Sequence, residues 1–145
     1  MYKHILIATD GSDLAQKAVQ QGLDLARHLK AAVTAITVTA PWPVGETGAL
    51  MTTLPLRDYQ DLVRRHAEEI LAPVRNLASQ LGVACEAVHV SDEHPAEGIV
   101  EHAKAKSCDL IVMASHGRRG LAKMLLGSQA TRVLTYSPVP VLICK

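Results

Sequence analysis

The sequence predicts an α/β fold, a five-stranded parallel doubly wound sheet in the order 3-2-1-4-5 with helices on both faces. Five short aliphatic runs alternate along the chain with segments of helical period, which is typical of βαβ units. The runs are almost continuously apolar, as in strands that are buried on both faces. Right-handed crossovers then place helices on both sides of the sheet. The length of 145 residues fits a single domain spanning 1–145.

The first part of the chain supplies two strands and one helix. An apolar run at 4–8 stops at the turn signal Asp10-Gly11-Ser12 and predicts the first strand. Small and apolar residues then recur on one face from Ala15 to Leu29, which predicts an amphipathic helix with Ser12 or Asp13 as its N-cap. A second strand follows at 32–38, and the Pro- and Gly-rich stretch 39–57 predicts a long loop.

The second part continues the alternation. A helical pattern at 58–81 contains Pro73, which we expect to kink or divide the helix. A third strand is predicted at 83–90, a helix at 95–106 that opens with Pro95, and a fourth strand at 110–114. A helix from about 128 to 136 and a fifth strand at 139–144 close the chain. Pro140 cannot donate a ladder hydrogen bond, so the fifth strand is predicted at the edge of the sheet.

Composition excludes several classes of protein. Hydrophobic residues make up 48% of the chain and charged residues 20%, which argues against a disordered protein. A net charge of +1 argues against a general binder of nucleic acid or of membrane surfaces. Phe is absent and aromatic residues amount to 3%, so a base-stacking sheet is not expected. The short N-terminal apolar run and three scattered cysteines predict a cytoplasmic protein without a signal peptide.

A carboxylate follows the first strand, in the stretch Ala8-Thr9-Asp10-Gly11-Ser12. In doubly wound sheets, ligands bind at the carboxyl ends of the strands, where the strand order reverses. Asp10 could accept hydrogen bonds there from a ribose hydroxyl or a base amino group. The alternative is that Asp10 only caps the turn or the following helix.

A glycine-bounded basic segment follows the fourth strand. Gly117 and Gly127 allow backbone N–H groups to approach a ligand, and Ser128 opens a helix whose N-terminus favours an anion. Arg118, Arg119 and Lys123 lie between them, and no acidic residue does. These features suit a polyphosphate, although a solvated surface loop would carry the same residues. The segment is not a P-loop, because it lacks the Gly-Lys-Ser/Thr ending.

The whole chain resembles the universal stress protein family. The resemblance rests on 5–12, on 109–120 (Asp-Leu-Ile-Val-Met-Ala-Ser-His-Gly-Arg-Arg-Gly), on 125–128 (Leu-Leu-Gly-Ser) and on 138–142. The nucleotide-binding branch of that family carries Gly-x2-Gly-x9-Gly-Ser/Thr. The pattern falls here on Ala114, Gly117, Gly127 and Ser128, so three positions match and Ala114 stands where the family has Gly.

The resemblance implies a homodimeric, ATP-binding stress-response sensor or regulator, with ATP able to carry Mg²⁺. The family places adenine and ribose near Ala8, Asp10 and Val38, and the phosphates on the 114–117 turn and on 127–129. The implied site consists of Ala8, Thr9, Asp10, Val38, Met113, Ala114, Ser115, His116, Gly117, Arg118, Gly127, Ser128, Gln129 and Ala130. Dimers of the family pair their last strands, which implies an interface at Val139, Val141 and Ile143.

Two other functions remain open at this point. Ala114 would suit a dimeric interaction module that no longer binds nucleotide. The basic segment would suit a slow Mg²⁺-dependent ATPase or phosphotransferase, although no second carboxylate near Asp10 is evident to hold a metal. No catalytic residue is predicted. His89, His94 and His102 are expected to be ordinary histidines, because no metal-ligand spacing accompanies them.

Overall fold

Five parallel strands form one sheet in the order predicted from the sequence. The structure is a computed structural model that describes residues 1–41, 54–117 and 125–145. The strands are β1 (His4–Ala8), β2 (Ala32–Val38), β3 (Cys85–Val90), β4 (Leu110–Ala114) and β5 (Val141–Cys144). Their order across the sheet is β3-β2-β1-β4-β5. The predicted fold class is therefore confirmed, and β5 lies at an edge.

Helices cover both faces of the sheet. Helices α1 (Asp13–Leu29) and α2 (Leu56–Leu81) pack on one face, and α3 (Pro95–Ala105) and α4 (Ser128–Tyr136) pack on the other. Successive side chains of a strand point to opposite faces, so each strand contributes to two cores. Ile5 and Ile7 belong to the core under α1 and α2, whereas Leu6 and Ala8 belong to the core under α3 and α4.

Four element boundaries differ from the prediction: α3 ends at Ala105 rather than at 106, and two of the other three are set by local hydrogen bonds. The N–H of Val83 donates to the carbonyl of Ala78 at 2.9 Å and helps to close α2, so β3 begins only at Cys85. The hydroxyl of Ser137 donates to the carbonyl of Val139 and accepts from its N–H, which forms a turn before β5. Helix α2 begins at Leu56 rather than at 58.

Pro73 lies inside α2 and does not divide it. A proline removes one helix hydrogen bond, the one to the residue four positions earlier. That residue, Glu69, is exposed, so water can bond its carbonyl group. Of the long loop predicted at 39–57, positions 42–53 lie outside the described residues.

None of the described helices combines the length and the apolar character needed to span a membrane.

Close packing of α1 on the sheet depends on Gly22. A Cβ atom at this position would lie 2.6 Å from Cδ1 and 3.0 Å from Cγ1 of Ile7. Ile7 is fully buried, so its side chain has little room to move. The glycine therefore sets how closely α1 approaches β1.

We expect Gly22→Ala to destabilise the fold by about 1–2 kcal/mol, because overpacking costs about 1–3 kcal/mol and the better helix propensity of alanine offsets up to about 1 kcal/mol. Ile7→Val removes the Cδ1 atom that the new methyl group would meet. The double variant should therefore be more stable than the sum of the single effects, and urea unfolding of the four proteins measures this coupling. Strictly additive effects would contradict the packing argument.

Candidate functional site

The carboxyl ends of β1 and β4 lie side by side in the centre of the sheet. Strand β1 pairs with β2 on one side and with β4 on the other, with Ile7 opposite Val112. The strand order reverses here, because the chain adds β2 and β3 on one side of β1 and then adds β4 and β5 on the other side. This is the position at which doubly wound folds bind their ligands.

The turn after β1 is ordered by its own side chains. The N–H of Gly11 donates to Oγ1 of Thr9 at 3.2 Å, and the N–H of Ser12 donates to Oδ1 of Asp10 at 3.0 Å. Gly11 has a φ of 77°, a conformation that favours glycine. The Oγ atom of Ser12 accepts from the N–H of Ala15 at 3.3 Å, which confirms Ser12 as the N-cap of α1.

Gly117, in the turn three residues after β4, faces the Asp10 carboxylate. A Cβ atom at position 117 would collide with Oδ2 of Asp10. Gly117 is exposed, while Ser115 is buried and donates its N–H to the carbonyl of Cys144 at 2.8 Å. The absence of a side chain at 117 therefore brings the backbone of this turn against the carboxylate.

Gly127 also lies at the carboxyl end of β4. Its N–H donates to the carbonyl of Ser115 at 2.7 Å. A Cβ atom at 127 would lie 3.2 Å from Cα of His116 and 3.2 Å from the carbonyl oxygen of Ser115. The start of α4, at Ser128, is thus held beside the end of β4 and close to Gly117.

Helix N-termini at this edge differ in their caps. Ser12 caps α1, and the side-chain Oε1 of Gln129 accepts the N–H of Ala96 in the first turn of α3 at 3.1 Å. No described side chain caps α4, and its first turn holds no acidic residue. Helix α2 also lacks a side-chain cap, but its first turn carries Asp58. Helix α4 is the one whose N-terminus best suits an anion.

Four of the sequence-predicted site residues share the face of the sheet that α3 and α4 cover. Ala8, Met113 and Ala130 are buried in that core, and Val38 packs against it. Ala114, in contrast, is buried in the core under α1 and α2. Its methyl group therefore points away from the side on which Val38 and α4 lie.

Two further predicted site residues form hydrogen bonds with other elements of the fold, and a third is not described. Thr9 is buried and its N–H donates to the carbonyl of Ile36 at 2.9 Å. Gln129 uses its side chain to bond α3. Arg118, together with Arg119 and Lys123, lies outside the described residues.

One residue at this edge was not predicted from the sequence. A Cβ atom at Gly98 in α3 would lie 3.0 Å from both methyl groups of Val38. The only available signal was an isolated glycine within a helical pattern, which often has a packing reason.

An open cleft of about 370 Å³ borders the site on the α1 side. Asp13, Leu14 and Lys17 of α1 line it, with Ser115, His116, Leu125 and Lys145 opposite. Of the site residues predicted from the sequence, Ser115 and His116 line this cleft. Within the described ranges, no group of three or more His, Cys, Asp and Glu side chains could hold a metal ion.

Thiol chemistry has little support from the cysteines. Burial raises the pKa of Cys85, Cys108 and Cys144. For Cys108 the pKa rises to about 11, mainly through burial and further through the charge of Asp109. The thiol groups therefore remain protonated at neutral pH, whereas nucleophilic attack requires the thiolate.

Comparisons with known proteins show the family and the fold of this chain. The profile of the universal stress protein family matches residues 1–145. The universal stress protein MJ0531 of Methanocaldococcus jannaschii is 36% identical over 146 residues, covering 100% of this chain and 83% of that protein. The universal stress protein UspA from Lactobacillus plantarum has a TM-score of 0.81 at 23% identity, over 99% of this chain and 98% of that chain. A universal stress protein solved in complex with cAMP has a TM-score of 0.71 at 25% identity, over 98% of this chain and 95% of that chain.

The fold and the glycine-bounded strand ends define a doubly wound α/β protein whose polar groups gather at the switch point. The chain belongs to the universal stress protein family, since the family profile matches all of its residues. The resemblance inferred from the sequence is confirmed.

His89 lies at the far end of β3, where its Nε2 atom is 2.8 Å from Oγ1 of Thr39. Burial lowers the pKa of His89. A histidine whose folded pKa lies below its unfolded value of about 6.5 stabilises the fold above that pH. This contribution is lost as the pH falls toward the folded pKa.

We therefore expect His89→Gln to reduce the loss of unfolding free energy between pH 7.5 and pH 5, measured by urea denaturation. Thr39→Val serves as the control, because it keeps a half-buried histidine at position 89 and should retain the pH-dependent loss. An unchanged pH dependence in His89→Gln would contradict the assignment.

Proposed function

We propose that this chain binds an adenine nucleotide, ATP, at the carboxyl ends of β1 and β4 and acts as a cytoplasmic regulator in the stress response. The observation that carries the proposal is the hydrogen bond of 2.7 Å from Gly127 to Ser115. It holds the uncapped N-terminus of α4 beside the strand ends, within reach of the turn that presents Asp10.

Each part of the nucleotide has a chemically suitable partner in this arrangement. The Asp10 carboxylate can accept hydrogen bonds from ribose hydroxyls. The apolar residues Ala8, Val38 and Met113 on the α3/α4 face suit the flat face of adenine. The N–H groups at the start of α4, together with the Ser128 hydroxyl, suit the phosphates.

Mg²⁺ would enter with the nucleotide. Magnesium bound to a nucleotide is usually held through phosphate oxygens and water, with one or two carboxylates. Asp10 is the carboxylate that the described strand ends place in this region. Because the metal would depend on the phosphates, binding of adenosine should not require it.

The solved relative in complex with cAMP supports an adenine nucleotide as the class of ligand. The position of Ala114 supports retention of binding in this chain. The methyl group that replaces the family glycine packs into the core under α1 and α2, so it does not occupy the space on the α3/α4 side.

Within the described part of the chain, no strand pairs with the outer edge of β5, which supports a homodimer. The carbonyl group of Pro140 accepts a hydrogen bond from the N–H of Ile111 in β4, and that of Cys144 accepts one from the N–H of Ser115, directly after β4. Because bonding direction alternates along a strand, the backbone groups of Val141 and Ile143 point to the open edge. Tyr136 and Leu142 are exposed nearby. An unprotected aliphatic edge of this kind favours pairing with a second copy.

The binding proposal is tested by calorimetric titration of the purified protein with ATP and Mg²⁺. We expect Ser128→Ala to weaken binding by about tenfold, the effect of losing one hydrogen bond to a charged group. Gly117→Ala should weaken ATP binding more than Ser128→Ala does, because the new methyl group displaces the Asp10 carboxylate. Ala114→Gly should change the affinity by less than about twofold, since its methyl group lies in the opposite core.

Absence of binding in the wild-type protein, with binding gained in Ala114→Gly, would overturn this proposal in favour of an interaction module that has lost its ligand. Equal binding by the wild type and Gly117→Ala would show that the cleft is elsewhere. ATP turnover above background, abolished by Gly127→Val, would indicate the slow ATPase instead.

The dimer is tested by Ile143→Pro, measured by light scattering after size-exclusion chromatography. Proline at 143 removes an N–H that faces the open edge and leaves the hydrogen bonds to β4 in place. We expect the variant to be monomeric and folded, whereas Ile143→Val should remain dimeric. A dimeric proline variant would show that another surface forms the interface.

A further inference from the structure

The side chain of Gln129 connects two helices that are distant in sequence. Its Oε1 atom accepts the backbone N–H of Ala96 at 3.1 Å across a separation of 33 residues. A backbone N–H can only donate, which fixes the orientation of the amide with Oε1 toward α3. Gln129 thus serves as a side-chain cap for the first turn of α3, whose own N-cap residue, His94, makes no such bond.

A second link lies one turn further along α4 and one residue further along α3. Arg132 of α4 forms an ion pair with Glu97 of α3. Between these links, Ala96 and Ile99 of α3 are buried in the same core as Ala130 and Val133 of α4. The first turns of the two helices are therefore held together on their surface by polar contacts and beneath by apolar packing.

The first turn of α3 in turn contacts the base side of the proposed site. Gly98 lies so close to Val38 that an added Cβ atom would be 3.0 Å from both of its methyl groups. A displacement of α3 would therefore displace Val38. The chain of contacts runs from the start of α4, through Gln129 and the start of α3, to Val38.

We infer that the side chain of Gln129 is a positioning group, which fixes the phosphate-facing end of α4 relative to the Val38 side of the cleft without itself binding phosphate. This inference rests on the proposed function. It assigns to Gln129 a role different from the phosphate contact that the family resemblance implies.

The choice of an amide fits this role. A glutamate at position 129 would cap α3 at least as well, because a carboxylate is favoured at a helix N-terminus. It would also place a negative charge in the first turn of α4, where the phosphates are proposed to bind. A glutamine caps α3 without that repulsion.

The experiment compares Gln129→Leu and Gln129→Glu with the wild type in three measurements. These are the affinity for ATP with Mg²⁺, the affinity for adenosine, and the hydrogen-exchange protection of the Ala96 amide. Ser128→Ala is the matched control, because it alters the neighbouring α4 residue and leaves the cap of α3 in place.

We expect Gln129→Leu to weaken ATP and adenosine alike, by about fivefold, the factor that one ordinary hydrogen bond contributes. It should also speed exchange of the Ala96 amide. Gln129→Glu should preserve that protection and the adenosine affinity while weakening ATP. Ser128→Ala should weaken ATP alone.

The inference is overturned if Gln129→Leu weakens ATP but leaves both adenosine binding and Ala96 exchange unchanged, because Gln129 would then be a phosphate ligand. A wild-type protein that binds neither ligand overturns the proposed function, and the positioning role with it. The Ala96 exchange rates then still decide whether Gln129 caps α3.

Discussion

The hydrogen bond from the Gly127 N–H to the Ser115 carbonyl group is the contact on which the arrangement of the site depends. At 2.7 Å it returns the chain to the end of β4, and the close approach leaves little space for a side chain at 127. Ser115 is held in place by the sheet, because its own N–H donates to the carbonyl of Cys144 on β5. The position of α4 therefore follows from the rigidity of the strand ends.

The helices at this edge of the sheet differ in whether a side chain accepts hydrogen bonds from their N-terminal N–H groups. Ser12 and Gln129 supply acceptors to α1 and α3. Helix α4 receives no such acceptor from a described side chain, although Ser128 and Gln129 stand in its first turn. Gln129 bonds the neighbouring helix instead of its own. Where the side-chain caps are placed thus leaves the N-terminus of α4 as the one suited to an anion among the described helices.

Sequence patterns were sufficient for the fold and for the location of part of the candidate site at the strand ends. Apolar runs and helical periods follow from burial, so they predicted the five strands. The order of the strands was predicted from the doubly wound topology rather than from any of the runs. Boundaries at Val83 and Val139 were missed because hydrogen bonds of local turns occupy these residues. Asp10, Gly117 and Gly127 could be predicted, since their neighbours in sequence show their surroundings. The contacts of Gln129 with Ala96 and of Gly98 with Val38 could not, because they join separate helices and strands whose packing no local pattern encodes.

The inward direction of Ala114 has a consequence for how the glycine motif is interpreted. A motif written as letters treats its four positions as equivalent, yet the pleat of β4 gives the first position to the hydrophobic core. Substitution at that position is then limited by the volume available beneath α1, as at any buried site. Alanine in place of glycine at this position restricts the backbone and adds a methyl group that packs in the core. Among relatives, variation at this position would therefore report on the fit of a helix to the sheet rather than on the choice of ligand.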